Sequence, residues 1–404
     1  MQLIGTWSVV LAIAIAHLAF CAGISFALPA KEWSILVYLN GDNDIEDDAV
    51  RAVHNMELIG STDKINIVVQ LDKKGPTGTW RYLMQKPAKP DDTPMPVPPI
   101  QSPVVETLPE QDMGSPDTLK NFLAWGMNRY PAKRYLVYVW NHGSGWLEKP
   151  KVKKPATSRG VSYDDHSGNH LTVIQVGDVL RGMSASCGKK IDLVAFEACL
   201  MQMAEVVSEL ADSCLFQVGS EETTKAWPHR AWLTQVVAHP EWDGLKMGSA
   251  LVDAIRAAYL QGTSTMSLIE LSKVAGLKTR ASAFAKALLS NAAYKPRIKE
   301  VLRGTQSYLI DTNRDMVDFI ELVLEKIDDK AVVEAGSLLK EFIKSELVAK
   351  NSYTGFPVSG SNGLSVWVPW DADKGQMENY LKLRWSRDTQ WDEFLSTLTT
   401  DPKR

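Results

Sequence analysis

The chain has 404 residues, 45% of them apolar and 23% charged, with a net charge of −4. That length supports a large core or two domains, and the composition is that of a globular protein. Slight acidity, with no arginine-rich run interleaved with aromatics, excludes nucleic acid as an expected partner. Residues 8–24 are almost wholly apolar apart from His17, and Ser25-Phe26-Ala27 places small residues at −3 and −1 of a cleavage site. This predicts a signal peptide over 1–27 and export to the periplasm or beyond the cell. No Lys or Arg precedes the apolar run, so a retained membrane anchor is the alternative. Phe20 before Cys21 argues against lipidation there. No later stretch is long and apolar enough to span a bilayer, so no membrane contact is expected after signal removal.

From 31 to 243, strand and helix patterns alternate. Strands are predicted near 34–39, 65–71, 135–140, 191–196 and 215–219, and helices near 44–58, 116–128, 173–184 and 200–211. The expected fold is α/β, a mostly parallel sheet flanked by helices. The proline-dense stretch 86–103 reads as an exposed loop. From 244 to 350 the pattern turns helical, near 248–261, 273–292, 295–309, 313–327 and 331–349. This reads as a C-terminal helical subdomain packed on the sheet. Residues 351–404 are expected to return a strand, near 364–368, to the core.

Two strand ends carry the candidate chemistry. The run Ile191–Phe196 leads into Glu197-Ala198-Cys199, with a predicted helix directly after it. A thiol at that junction would sit at the positive end of a helix dipole, which favours the thiolate. The run Arg134–Trp140 leads into Asn141-His142-Gly143. In parallel sheets, functional groups collect at the carboxyl ends of strands. His142 and Cys199 are therefore expected on one edge, as base and nucleophile. The backbone N–H groups of Gly143 and Cys199 are the expected oxyanion donors. No third side chain orienting the histidine is evident, and Asp42 and Asp44 read as caps of the following helix. Asp164 and Asp165, near His166 and His170, fit no standard zinc or calcium loop, so no metal or cofactor is assigned. Cys187 and Cys214 precede two strands expected to be neighbours; they either pair or stay separate thiols.

These residues resemble the clostripain family of cysteine peptidases, which share the caspase-like fold. The likeness is carried by Leu39–Asp44, Tyr130–Tyr135, Trp140-Asn141-His142-Gly143-Ser144-Gly145-Trp146, Phe196–Met201 with Glu205, Gly219-Ser220-Glu221-Glu222 with Pro228 and Trp232, and Gly363–Pro369. It covers roughly 33–240 and 355–370. The resemblance implies protein or peptide substrates cut after Arg, sometimes Lys, by a His142–Cys199 dyad. It implies an acidic S1 pocket. Glu197 stands where the family usually has Asp, and Ser220, Glu221 and Glu222 are the expected remainder of the wall. The alternative for Glu197 is a structural salt bridge. Pro228-His229-Arg230-Ala231-Trp232 replaces the family's usual Gly-Trp pair. Some relatives need calcium, but no site for it is identifiable. Relatives are also cut between histidine and cysteine. The basic, proline-rich linker 148–160 offers Arg159 and Lys154, with Pro155 hindering the latter; an uncut surface loop is the alternative. A monomer is expected. The rival readings are a catalytically silent binding protein on the same fold, or a thiol amidase or transpeptidase.

Overall fold

The computed structural model describes residues 30–75, 78–91, 93, 98–148, 159–371 and 374–398. The predicted signal peptide (1–27) and Lys154 lie outside these. In chain order the strands are β1 (Lys31–Gly41), β2 (Ile65–Lys73), β3 (Thr79–Leu83), β4 (Val104–Leu108), β5 (Ala132–Trp140), β6 (Gly143–Glu148), β7 (Arg159–Asp164), β8 (Asn169–Leu171), β9 (Ile191–Glu197), β10 (Cys214–Gly219), β11 (Ser264–Glu270), β12 (Asn313–Asp315), β13 (Val348–Thr354) and β14 (Ser365–Trp367). Nine form the central sheet, in the order β13-β11-β10-β9-β5-β1-β2-β3-β4. Its middle five, β2 to β10, are all parallel. The edges are antiparallel: β3 and β4 on one side, β11 and β13 on the other.

The apolar runs form the parallel middle because helices cover both faces. Alternation along β1 sends Ile35, Val37 and Leu39 to one layer and Leu36 and Tyr38 to the other. The first layer holds α1 (Glu46–Glu57) and, later in the chain, the helices His229–Ala238 and Gly244–Ala258. The second holds α2 (Pro116–Arg129), α3 (Val173–Cys187) and α4 (Ala204–Leu210). Local signals set these helix ends. Ser115 accepts from the Asp117 N–H ahead of Pro116, and Thr172 with Gln175 forms a reciprocal capping box. Gly188, at φ 65°, ends α3.

Several expectations are corrected. The region 244–350 does carry the expected helices, but it also contributes β11 and β13 to the central sheet. It is therefore not a separate helical unit. The strand near 364–368 forms but does not join that sheet. It pairs with β12, where a helix was expected to begin, and Ser365 bridges Met203. The helix expected over 200–211 starts only at Ala204. Edge strands such as β13, with alternating half-exposed polar residues, lack the apolar run that made the central strands legible. Among the described residues no helix is long and apolar enough to cross a membrane.

Candidate active site

Strand register brings the two predicted residues together. Trp140 pairs with Glu197 across β5 and β9. His142 and Cys199 each lie two residues further on, so they leave adjacent parallel strands at the same edge. Both line one cleft of about 410 Å³, together with Glu197, Asp48, Thr224 and Lys225. The backbone is tightly drawn there. A Cβ on Gly143 would fall 2.4 Å from the Cys199 carbonyl oxygen and 3.0 Å from its nitrogen, so only glycine fits. Leu200 adopts a left-handed φ of 62°, and its N–H donates to the Glu222 carbonyl at 3.1 Å. This bend separates Cys199 from α4 and removes the expected helix-dipole contribution. The half-buried Cys199 Sγ instead accepts from the Thr224 N–H at 3.4 Å.

His142 has an orienting partner that the sequence did not reveal. Its Nε2 lies 2.7 Å from Asp44 Oδ1. An ionised carboxylate only accepts, so in the neutral ring Nε2 carries the proton and Nδ1 keeps the lone pair. Asp44 is not a helix cap: the cap position of α1 is Ile45, without a side-chain bond. The pair is open to water, with side-chain exposures of 28% and 79%.

Glu197 is buried at the cleft wall, and its carboxylate is held from within. Oε1 accepts from the Trp227 N–H at 2.8 Å; Oε2 lies 2.8 Å from His229 Nε2 and bonds the Tyr138 hydroxyl. Tyr138 stacks on Trp227 at 5.2 Å between centroids. Burial, then the neighbouring Glu197 charge, pushes the Tyr138 phenol well above its usual value, so it remains a donor. Tyr138 and Trp227 carry no sequence signal of their own, and His229 lies in the Pro228–Trp232 stretch that departs from the family's usual Gly-Trp pair. They become partners only through the pairing of β5 with β9 and the loop before His229.

The remaining wall residues do not reach the cleft. Ser220 is buried and bonds Thr265 Oγ1 at 2.7 Å. Glu221 is buried against the turn near Gly363, accepting from its N–H at 3.1 Å. Burial, and then Asp315, holds the Glu221 carboxyl well above the ordinary range. Glu222 accepts from Thr223 and Leu309 N–H groups at 2.6 and 3.3 Å. The chain turns at these residues to form the β10 end, and it is Thr224, Lys225 and Ala226 that face the cleft. Arg159 opens β7, opposite Glu148 of β6, so the segment between them joins paired strands. Among the described residues Cys187 and Cys214 do not pair with each other; Cys214 is buried, which pushes its thiol up to about 12.

A second group of acids gathers behind the Asp44 turn. Asp42, Asp72 and Asp164 each present a carboxylate oxygen within 4.8 Å of the others, and Asp42 is grouped likewise with Glu110 and His166. Burial, then Glu110, Asp164 and Asp42, raises Asp72 to about 8 despite its bond from Thr79. Of the residues near 164–170, Asp164 and His166 belong here. Asp165 faces Lys74 at 3.8 Å, and His170 stacks on Tyr163. Sequence spacing missed this group because its members come from four separate segments.

The sequence profile of the clostripain family matches residues 37–397. The chain belongs to the clostripain family. That family comprises cysteine peptidases, which are hydrolases. Clostripain of Hathewaya histolytica is 32% identical over 100 residues, a stretch that covers 24% of this chain and only 18% of that protein. Among solved structures, a secreted cysteine protease from Bacteroides thetaiotaomicron bound to an irreversible peptide inhibitor superposes with a TM-score of 0.66 at 19% identity, covering 89% of this chain and 99% of that one. An inactive zymogen protease from Parabacteroides distasonis gives 0.68 at 18% identity, covering 90% and 99%. These likenesses establish the caspase-like fold.

Proposed function

We propose that this clostripain-family chain is an exported cysteine endopeptidase that cleaves after Arg or Lys. The observation that carries this reading is the single cleft lined by His142, Cys199 and the buried Glu197 carboxylate. Cys199 Sγ attacks the scissile carbonyl carbon, and its proton passes to His142. The developing oxyanion is received by the Gly143 and Cys199 N–H groups. The resulting imidazolium, steadied by Asp44, returns the proton to the leaving amine. Water, deprotonated by His142, then releases the acyl group from sulfur. Glu197 has three of about four carboxylate lone-pair positions engaged, leaving one for a P1 ammonium or guanidinium. The segment ending at Arg159 joins the strand after His142 to the strand leading on toward Cys199, and self-cleavage there would leave both halves in one core. Export, a monomeric state and the P1 preference belong to this proposal.

The test is hydrolysis of matched peptides with Arg, Lys, Asp or Asn at P1 by the wild type, Cys199→Ala and His142→Ala. Each variant should lose at least about a thousandfold in kcat while unfolding at the wild-type temperature, because the two residues act as a unit. Substantial turnover by either pure variant would overturn the dyad.

A further inference from the structure

Cys199 follows β9, with β10, β11 and β13 on one side of it and β5 and β1 on the other. In the proposed mechanism His142, which follows β5, hands its proton to the leaving amine. The primed residues of a peptide therefore leave over β5, and the residues before P1 run the other way, across the ends of β10, β11 and β13. β11 is antiparallel to β10 and β13 to β11. Gly219, at the end of β10, pairs with Ser267, and Ser264, at the start of β11, pairs with Thr354, at the end of β13. The start of β11 and the end of β13 thus lie at the catalytic edge.

Two large apolar side chains stand exposed at those ends. Phe356, two residues past β13, is 85% exposed, and Leu260, shortly before β11, is 61% exposed. The backbone around them is anchored. Thr263 Oγ1 donates to the Phe356 carbonyl at 2.9 Å, and Thr354 Oγ1 to the Gly262 carbonyl at 2.7 Å. Gly355, at φ 75°, is packed against Gly262, whose carbonyl oxygen would stand 2.8 Å from a Cβ there. The turn is also continuous with the cleft. Lys225 lines the cleft, and its Nζ would lie 2.9 Å from a Cβ on Gly262. An exposed aromatic on an anchored backbone gains from an apolar partner with little ordering cost of its own.

We propose that Phe356, flanked by Leu260, forms an apolar subsite for the P4 side chain of the peptide substrate. The position follows from the spacing. From β9 to β13 is three strand intervals, about 14 Å at about 4.8 Å each. Three residues of extended peptide, from P1 to P4, span about 10 Å. A P4 side chain meeting the Phe356 ring closes the remainder. An aliphatic or aromatic P4 residue gains from that contact, and a small polar one does not. The inference rests on the proposed direction of proton transfer from His142 and does not depend on which residue occupies P1.

The test measures kcat/KM on fluorogenic peptides that share one P1–P3 sequence, with P1 the residue that the wild type cleaves best, and differ only at P4, Leu against Ser. The enzymes are the full-length wild type, Phe356→Ala and Phe356→Tyr. Burying about 60 Å² of apolar surface corresponds to about a tenfold preference for Leu in the wild type. Phe356→Ala should bring the ratio to about one, and Phe356→Tyr should keep it. A merely structural role would lower both peptides together and leave the ratio in place. Because the ring lies outside the core, Phe356→Ala should unfold at the wild-type temperature. A ratio near one in the wild type, or a preference that survives Phe356→Ala, would overturn the subsite while leaving the His142–Cys199 dyad standing. A preference for Leu at P4′ instead, lost in Phe356→Ala, would overturn the direction. A chain that hydrolyses no peptide would overturn the endopeptidase reading, and the subsite with it.

Discussion

Glu197→Gln separates a pocket wall from a structural brace. The wild-type carboxylate holds three internal contacts, to Trp227 N–H, His229 Nε2 and the Tyr138 hydroxyl. Its remaining value to substrate is one charge-assisted hydrogen bond, about 1.5–3 kcal/mol. That converts to a loss of about 10- to 150-fold in kcat/KM on Arg and Lys substrates, mainly through KM. A peptide with a neutral P1 residue makes no such bond and should be nearly unaffected. The substitution also has a structural cost. The amide turns an acceptor into a donor facing Tyr138 and His229, leaving one mismatched contact worth about 1–3 kcal/mol. Unfolding should therefore fall by a few degrees. The assay is kcat and KM on matched Arg, Lys and neutral P1 peptides, with thermal unfolding beside it. Equal losses on charged and neutral substrates would mean that Glu197 only holds the Tyr138–Trp227–His229 cluster. A wild type preferring Asp or Asn at P1 would refute the pocket outright.

Asp44→Asn should cost kcat/KM up to about fivefold, because the His142–Asp44 pair is exposed and such pairs contribute about 1 kcal/mol or less; a loss near ten-thousandfold would place it instead among buried orienting carboxylates. Lys225→Ala removes a cation from the cleft wall and should raise kcat/KM for basic P1 peptides about fivefold at low salt, with the gain shrinking as salt is added; no gain at low salt would count against it. Glu205, fully buried behind the Trp367 N–H, has its carboxyl raised to about 7 by burial. The folded state thus holds an extra proton between the unfolded value and about 7, and this group's contribution to stability falls as pH rises through that window. Glu205→Gln should therefore raise the unfolding temperature at pH about 8 more than at pH about 5, and an equal change at both would refute the linkage. Active protein should show a new N-terminus at Gly160 while Cys199→Ala stays one chain; mass spectrometry finding no new terminus between Pro150 and Tyr163 would exclude self-processing.

The legible parts of this protein were those written as continuous local patterns. The runs in β1, β5 and β9 are apolar on both faces, which only a sheet covered on both sides accommodates, and each stops at a polar turn. His142 and Cys199 could be placed at one edge because parallel strands deliver their carboxyl ends there, whatever the helices do. Ser220, Glu221 and Glu222 failed as wall residues because the strand-end rule says which edge a residue reaches, not which way the chain turns next. There Glu221 goes inward to the Gly363 turn, and Lys225 faces the cleft.

What the sequence by itself determined is therefore the α/β class, the family, the parallel middle of the sheet and the two strand ends that carry the thiol and the imidazole. These follow from periodicity and from chemistry attached to a single segment. Tertiary structure alone decided the antiparallel edges, the placement of β14 beside β12, the Asp44–His142 contact, the cluster around Glu197 and the meeting of Asp42, Asp72, Asp164 and Glu110. Each of these joins residues from distant segments. Their affinity for one another is set by shared burial and strand register, and neither quantity exists until the chain has folded.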